Sequence, residues 1–334
     1  MSLNVLITAG SRRVPLVQAF QRALRLTGGG RVVVADINPL SPTVCSTERS
    51  YHAPLSTDSE YLDVIAGICQ SERIGLIVPT IDDELPVFAG AVDRFAGSGV
   101  KVAVSPLATA TICNDKLATC RVLAEQGVAA VATTLPADLP ADPAFPLFIK
   151  PRGGRGGVGA FAVRSRRELD FFLDYVPDPV VQTYLEGPEF TIDVLCDWTG
   201  EPLSIVPRER VVIRAGVVDR GRTVRDSRFT ELAMACTRAM RFAGAINIQC
   251  RVVDGVPVVF EINPRFSGGI PLTIAAGADF PRMLVELARG RRVPPALGRF
   301  QPDLWMTNYE ASVFVAEDRI GFASAPQRSI AEVA

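Results

Sequence analysis

Three side chains of complementary chemistry recur at every second position late in the chain: Glu261, Asn263 and Arg265, within the run Phe260-Glu261-Ile262-Asn263-Pro264-Arg265. A strand has period two, so a carboxylate, an amide and a guanidinium would share one face. The preceding run, residues 247–253, reads as a second short strand carrying a further oxygen donor, Gln249, with Asp254-Gly255 as the turn between them. Together they form an oxygen-rich set that suits Mg²⁺, which takes one or two carboxylates, a few neutral oxygens, waters and substrate phosphates. The alternative is an ordinary antiparallel edge hairpin whose polar residues face water. Register separates the two. A strict two-residue turn pairs Gln249 with Phe260 and sends it to the wrong face, whereas a three-residue turn over residues 254–256 pairs it with Glu261.

Bulk properties narrow the partners. The 334 residues suffice for two or three compact units, and 48% hydrophobic with 21% charged is an ordinary globular composition. With 35 basic and 36 acidic residues the net charge is -1, which favours neither nucleic acid nor an anionic membrane. Small molecules or another protein are the expected partners. Seven cysteines, scattered and never spaced Cys-x-x-Cys, argue against a disulfide scaffold and a zinc site, and fit reduced thiols in a cytoplasm. The N-terminus lacks a basic segment followed by a long apolar run, and no apolar stretch approaches a membrane span. The single histidine, His52, sits in a turn-like segment and is expected at the surface, which leaves no basis for a histidine metal site or a Ser-His nucleophile.

These side chains need a scaffold. Apolar runs at residues 5–8, 32–36, 76–79 and 100–104 alternate with helical patterns near 14–26, 58–71 and 84–97, which implies a parallel, Rossmann-like sheet over residues 1–105. Its carboxyl edge carries Thr8-Ala9-Gly10-Ser11-Arg12-Arg13 and Asp36 but no full Gly-x-Gly-x-x-Gly, so a dinucleotide is not expected. That edge, with Arg12 and Asp82, holds either part of a substrate or plain turn chemistry with Ser11 as a helix cap.

Asn114-Asp115 can cap a helix with Lys116 in its first turn, where a lysine opposes the helix dipole unless an anion is expected. Residues 136–146 are linker-like, and the strand 147–150 ends in Lys150. Then come Gly153, Gly154, Gly156, Gly157 and Gly159, followed by another strand at 160–163. A glycine loop between two strands is neither a Walker A loop nor a Rossmann turn, yet its backbone amides can close over phosphates. Ser165 and Glu168 make a capping box for a helix over 166–175. Strands at 180–185, 190–197 and 203–213 form an antiparallel meander, a helix spans 229–242, another 280–289, and 304–315 reads as a closing strand pair.

In this order the parts resemble an ATP-grasp enzyme of the carbamoyl-phosphate synthase large-subunit-like branch, with a single grasp module. The resemblance implies an α/β and α+β architecture: an ATP-grasp fold preceded by a Rossmann-like pre-ATP-grasp domain (1–105), a small subdomain with the glycine lid (106–182), and a C-terminal subdomain with the antiparallel sheet and metal site (183–334). It further implies ATP and Mg²⁺, with Mn²⁺ as the alternative. Lys116 and Lys150 would contact ATP phosphates under the lid formed by Gly153, Gly154, Gly156 and Gly157. The backbone of Gln182, Thr183, Tyr184 and Leu185 would read adenine, and Glu189 would bond the ribose. Gln249, Glu261 and Asn263 would hold the metal, with Arg265 against the transferring phosphoryl group.

Two departures stand out. Gln182 occupies a position that is often Glu, and Ile213-Arg214-Ala215-Gly216 replaces an Ile-His-Thr-Gly, which suits a fixed carboxylate or phosphate better than bicarbonate. Arg208, Arg210 and Arg214 would hold an acyl substrate, or else form a solvated basic strand face. The expected activity is that of an ATP-dependent carboxylate-amine ligase on small carboxylates and amines. A phosphotransferase without a coupled amine and a non-catalytic ATP-binding subunit are the alternatives, and the resemblance leaves open a homodimer.

Overall fold

Unbroken apolar runs build the first sheet. The computed structural model describes residues 2–323 apart from Arg155 and Ala215, so those two, which belong to the glycine loop and the Ile213–Gly216 motif, lie outside the described residues. The described chain divides into two compact units. The first comprises residues up to 103 together with 281–292 and those from 310 onward; the second comprises 104–280 and 293–309. The expected third segment, 183–334, is thus split between the units.

Along the first unit run β1 (Asn4–Thr8), α1 (Val14–Thr27), β2 (Val32–Asp36), α2 (Pro42–Cys45), β3 (Ser50–His52), α3 (Tyr61–Glu72), β4 (Ile74–Pro79), α4 (Leu85–Gly90), α5 (Val92–Ala96) and β5 (Lys101–Val102). The sheet is parallel in the order β3-β2-β1-β4-β5, with β1, β2 and β4 almost wholly buried, as covered parallel strands must be. The helix expected over 84–97 is broken at Ala91. Ser11 is not the cap of α1: Arg13 holds the N-cap position without a side-chain cap hydrogen bond, and the Ser11 N–H instead donates to Asp36 Oδ2 at 2.8 Å. Arg12 is exposed, whereas Asp82 is buried at the start of a short 3-10 turn. His52 is exposed as expected.

In the second unit the elements are α6 (Leu107–Asn114), α7 (Lys116–Glu125), β6 (Thr133–Thr134), β7 (Leu147–Pro151), β8 (Phe161–Val163), α8 (Arg166–Tyr175), β9 (Pro179–Thr183), β10 (Glu189–Cys196), β11 (Pro202–Arg214), β12 (Val217–Thr223), α9 (Ser227–Ala239), β13 (Gly244–Val253), β14 (Val256–Asn263), α10 (Ile270–Ala275), α11 (Phe280–Ala288, most of it in the first unit) and β15 (Trp305–Thr307). A four-stranded sheet runs β6-β9-β7-β8 and a six-stranded one β14-β13-β10-β11-β12-β15. The expected strand pair over 304–315 is reduced to β15, Trp305–Thr307, which pairs with β12.

Alternation decides which face of each sheet is apolar. Leu147, Ile149, Val163 and Val181 pack with Leu169 of α8, leaving Phe148, Lys150 and Gln182 on the opposite face. Phe190, Ile192, Val194, Ile246, Ile248 and Ile262 pack against Phe229, Leu232 and Cys236 of α9, so the other face of the six-stranded sheet is available to polar residues. Every cysteine among the described residues is a free thiol. No helix among the described residues is long and apolar enough to cross a membrane.

One buried acid in the first unit yields a pH prediction. Glu84 accepts hydrogen bonds from the Tyr61 hydroxyl and, at 2.9 Å, from Thr8 Oγ1, yet burial pushes its carboxyl up to about 7 from 4.5. The fold therefore favours the protonated form. This contribution, on the order of 3 kcal/mol, is complete below about 4.5 and is lost as pH rises through about 7. Denaturant unfolding should show the wild type losing stability between about pH 4.5 and 7, and Glu84→Gln losing markedly less.

Candidate functional site

The Glu261 hairpin follows neither of the two expected registers. Its turn is a strict two-residue one: Asp254 (φ 48°) and Gly255 (φ 81°) both lie in the left-handed region, and Val253 pairs with Val256. Pairing then shifts between Gln249 and Cys250, where Phe260 is the extra residue of a β-bulge, so that Gln249 faces Glu261 and Asn247 faces Asn263. The expectation of a three-residue turn is corrected, while the side chains meet as the metal hypothesis required. A bulged residue leaves the ladder, and the Phe260 carbonyl accepts from Lys150 Nζ at 3.3 Å.

Extending the register across the sheet lines up three polar rows on one face. Glu261, Gln249, Thr191 and Arg208 form one row; Asn263, Asn247 and Asp193 flank it on one side, and Arg251, Glu189 and Arg210 on the other. Glu189 is clamped from both sides, Oε1 to Arg210 Nη1 and Oε2 to Arg251 Nη2, each at 2.7 Å. Arg210 Nη1 also donates to Gln249 Oε1 at 2.9 Å, and Nη2 to the Gly216 carbonyl at 2.8 Å. Burial lowers the Arg210 pKa, with Glu189 opposing. The expected ribose acceptor thus already carries two ion pairs, although a carboxylate retains lone pairs for further donors.

Lysines close the other side. Asp115 caps α7 by accepting from Ala118 N–H at 3.0 Å, and it also binds Arg152 Nη2 at 2.6 Å. Lys116 is therefore held at the first turn of α7, where Nζ donates to the carbonyls of Gly153 (3.1 Å) and Gly154 (2.9 Å) and lies 3.8 Å from Glu261 Oε1. Lys150 is buried beside Phe148 and Phe260; that burial lowers its pKa, Glu261 opposes the shift, and Lys116 adds to it. Arg265 Nη2 donates to Asn263 Oδ1 at 3.3 Å, and Asn247 Nδ2 to the carbonyls of Asn263 and Arg265 at 3.2 and 3.1 Å. Gln182 Nε2 donates to Thr133 Oγ1 at 2.9 Å. Its backbone and that of Thr183 lie between β6 and β7, the Tyr184 N–H donates to the Pro146 carbonyl at 3.4 Å, and the Leu185 carbonyl faces Arg251 Nη1 at 3.4 Å.

The basic stretch of β11 is not a uniformly solvated face. Arg208 is 1% exposed and pairs with the equally buried Asp193 at 2.7 Å, while its Nη2 donates to Ser267 Oγ at 2.9 Å. Gly269 lies so close that a Cβ there would fall 2.3 Å from Arg208 Nη1. Only Arg214 fits the solvated reading, with a 61% exposed side chain 3.4 Å from Asp219. Sequence reasoning did not single out Arg251 or Asp193. The available signal was their period-two spacing from Gln249 and Glu189, which becomes informative once the β10–β13 register is known.

Two family models match the chain: ATP-grasp in the biosynthetic pathway with Ter operon over residues 175–311, and a PylC-like N-terminal domain over residues 5–103. Residues 175–311 thus carry an ATP-grasp domain, and residues 5–103 a PylC-like N-terminal domain. The chain is 26% identical over 327 residues to the carbamoyl phosphate synthase large chain of Thermoanaerobacter sp. (strain X514), covering 86% of this chain but only 29% of that relative. Its fold is shared with the biotin carboxylase domain of Hydrogenobacter thermophilus 2-oxoglutarate carboxylase, solved with MgADP, ADP and bicarbonate (TM-score 0.72, 16% identity, 91% and 74% of the two chains). The fold is shared also with the L-amino acid ligase of Bacillus licheniformis (TM-score 0.68, 20% identity, 86% and 74%).

Among the described residues no cluster of three or more His, Cys, Asp or Glu gathers. The Gln249, Glu261 and Asn263 set instead supplies one carboxylate and two amide oxygens from adjacent strands on one face, a hard-oxygen set compatible with Mg²⁺. Magnitudes separate the ion pairs of this chain. Asp193→Ala strands a buried guanidinium and should cost about 3–5 kcal/mol in denaturant unfolding. Arg222→Ala, which breaks a half-exposed pair with Glu209, should cost about 1 kcal/mol or less.

Proposed function

We propose that this chain is an ATP-dependent, ADP-forming carboxylate-amine ligase. The observation that carries the reading is the convergence of Lys116, Lys150, Arg210 and Arg265 on the face that presents Gln249, Glu261 and Asn263. Phosphoryl transfer needs positioning and charge neutralisation rather than a protein nucleophile, and such a site supplies both. The ATP-grasp model matched over residues 175–311 and the shared fold with an L-amino acid ligase and a biotin carboxylase domain support it.

In the proposed reaction a substrate carboxylate oxygen attacks the γ-phosphorus of ATP, the bond to ADP breaks, and an acyl phosphate forms. An amine then attacks the acyl carbon, loses a proton, and expels phosphate. Lys116 and Lys150 hold the polyphosphate beneath the glycine loop, and Arg265 faces the transferring group. Glu261, Gln249 and Asn263 would hold Mg²⁺ or Mn²⁺, which when bound neutralises phosphate charge. Arg210, and Arg214 beyond it, are the candidates to orient the carboxylate. Seven cysteines with no disulfide among the described residues fit a cytoplasmic setting.

An ADP-release screen over pairs of amino acids and small carboxylic acids, with mass spectrometry of the product, tests this reading. Release that requires both partners and yields an amide supports it; release at full rate without an amine points to a phosphotransferase. Glu261→Ala and Arg265→Ala should each lower turnover by roughly a hundredfold or more while far-UV circular dichroism is unchanged.

A further inference from the structure

Each of the three oxygens expected to hold the metal is already engaged by a cation. Gln249 Oε1 accepts from Arg210 at 2.9 Å, Asn263 Oδ1 from Arg265 at 3.3 Å, and Glu261 Oε1 lies 3.8 Å from Lys116 Nζ. The amide orientations are forced by this arrangement, since an arginine can only donate and so must face an oxygen. For Asn263 the other end agrees: its Nδ2 faces Asn247 Oδ1 at 3.4 Å, and Asn247 Nδ2 is committed to two carbonyls.

Local charge points the same way. Lys116, Lys150, Arg210, Arg251 and Arg265 gather around Glu189, Glu261 and the neighbouring amide and carbonyl oxygens, although the whole chain carries a net charge of -1. Glu189 is already paired with Arg251, so Arg210 is not needed to neutralise it. A divalent ion seated on Gln249, Glu261 and Asn263 must approach oxygens that now face positive charge, and like charges at such distances repel strongly in a partly buried site. A polyphosphate removes the conflict: it attracts the three cations and contributes oxygens to the metal.

Resting on the nucleotide and metal reading above, we infer that Arg210, Lys116 and Arg265 act as placeholders that bar a free divalent ion, so that the metal binds only together with a nucleoside polyphosphate. Metal and nucleotide are then coupled, each raising the affinity for the other. Arg210 is the principal bar, because its buried guanidinium bridges Glu189 and Gln249.

Mn²⁺ binding to the full chain, followed by electron paramagnetic resonance of the free ion, tests this with no turnover required. In the absence of nucleotide, Arg210→Met should bind Mn²⁺ roughly tenfold more tightly than the wild type, and Lys116→Met should shift in the same direction through Glu261. The enhancement produced by a non-hydrolysable ATP analogue should shrink in both. Mn²⁺ affinity unchanged or weakened in both variants, with Glu261→Gln still abolishing binding in the presence of the analogue, overturns the inference and leaves the metal site standing. If Glu261→Gln binds Mn²⁺ like the wild type with the analogue present, the metal assignment falls, and the inference with it. Lys116→Met stands in if Arg210→Met does not fold, as judged by its thermal transition.

Discussion

The extra residue in β14 governs the polar face of the large sheet. Without the bulge at Phe260, the two-residue turn at Asp254-Gly255 would place Gln249 opposite Phe260 and turn it away from Glu261. With it, Glu261 and Asn263 fall into line with Gln249 and Asn247, and through β10 with Glu189, Thr191 and Asp193. The same bulge presents the Phe260 carbonyl to Lys150, so a strand of the small sheet and one of the large sheet are joined through a backbone group. Register and charge placement thus share one origin.

That face is polar because its reverse is not. Ile192, Val194, Ile246, Ile248 and Ile262 are fully committed to α9 and its neighbours, and period two then delivers every intervening residue to the other side. Of the polar groups so delivered, Thr191, Asp193, Asn247 and Asn263 are buried and the rest partly so, which makes partners necessary. They find them in chains: Asn263 to Asn247, Asp193 to Arg208 and onward to Ser267, and Glu189 to two arginines. The buried Arg208–Asp193 pair lies beneath the segment that leaves β14, and Asn247 grips the carbonyls of Asn263 and Arg265. The bend carrying Arg265 is therefore supported from within the sheet.

Legibility followed the range of the interaction. Asp115 as the cap that places Lys116, the strand-to-strand glycine loop, and the Ser165 cap of α8 all depend on a few consecutive residues, and all appear as read. The parallel sheet of the first unit was equally plain, because doubly covered strands must be continuously apolar. What failed were readings that needed a distant partner. Residues 308–315 have strand-like composition but do not extend β15, which stops at Thr307, and Ser11 is drawn to Asp36, 25 residues away, rather than to its own helix.

The sequence by itself determined the inventory and its order: the lysines, the glycine loop, the alternating Glu261-Asn263-Arg265 and the ATP-grasp resemblance follow from local spacing, which the chain carries wherever it folds. Only the tertiary structure decided which oxygens face which cations. A two-residue turn and a one-residue bulge cancel in length but not in facing, and the position of the bulge is coupled to a buried lysine 110 residues away that requires an acceptor. No local pattern encodes that requirement, because its cause is the burial of Lys150.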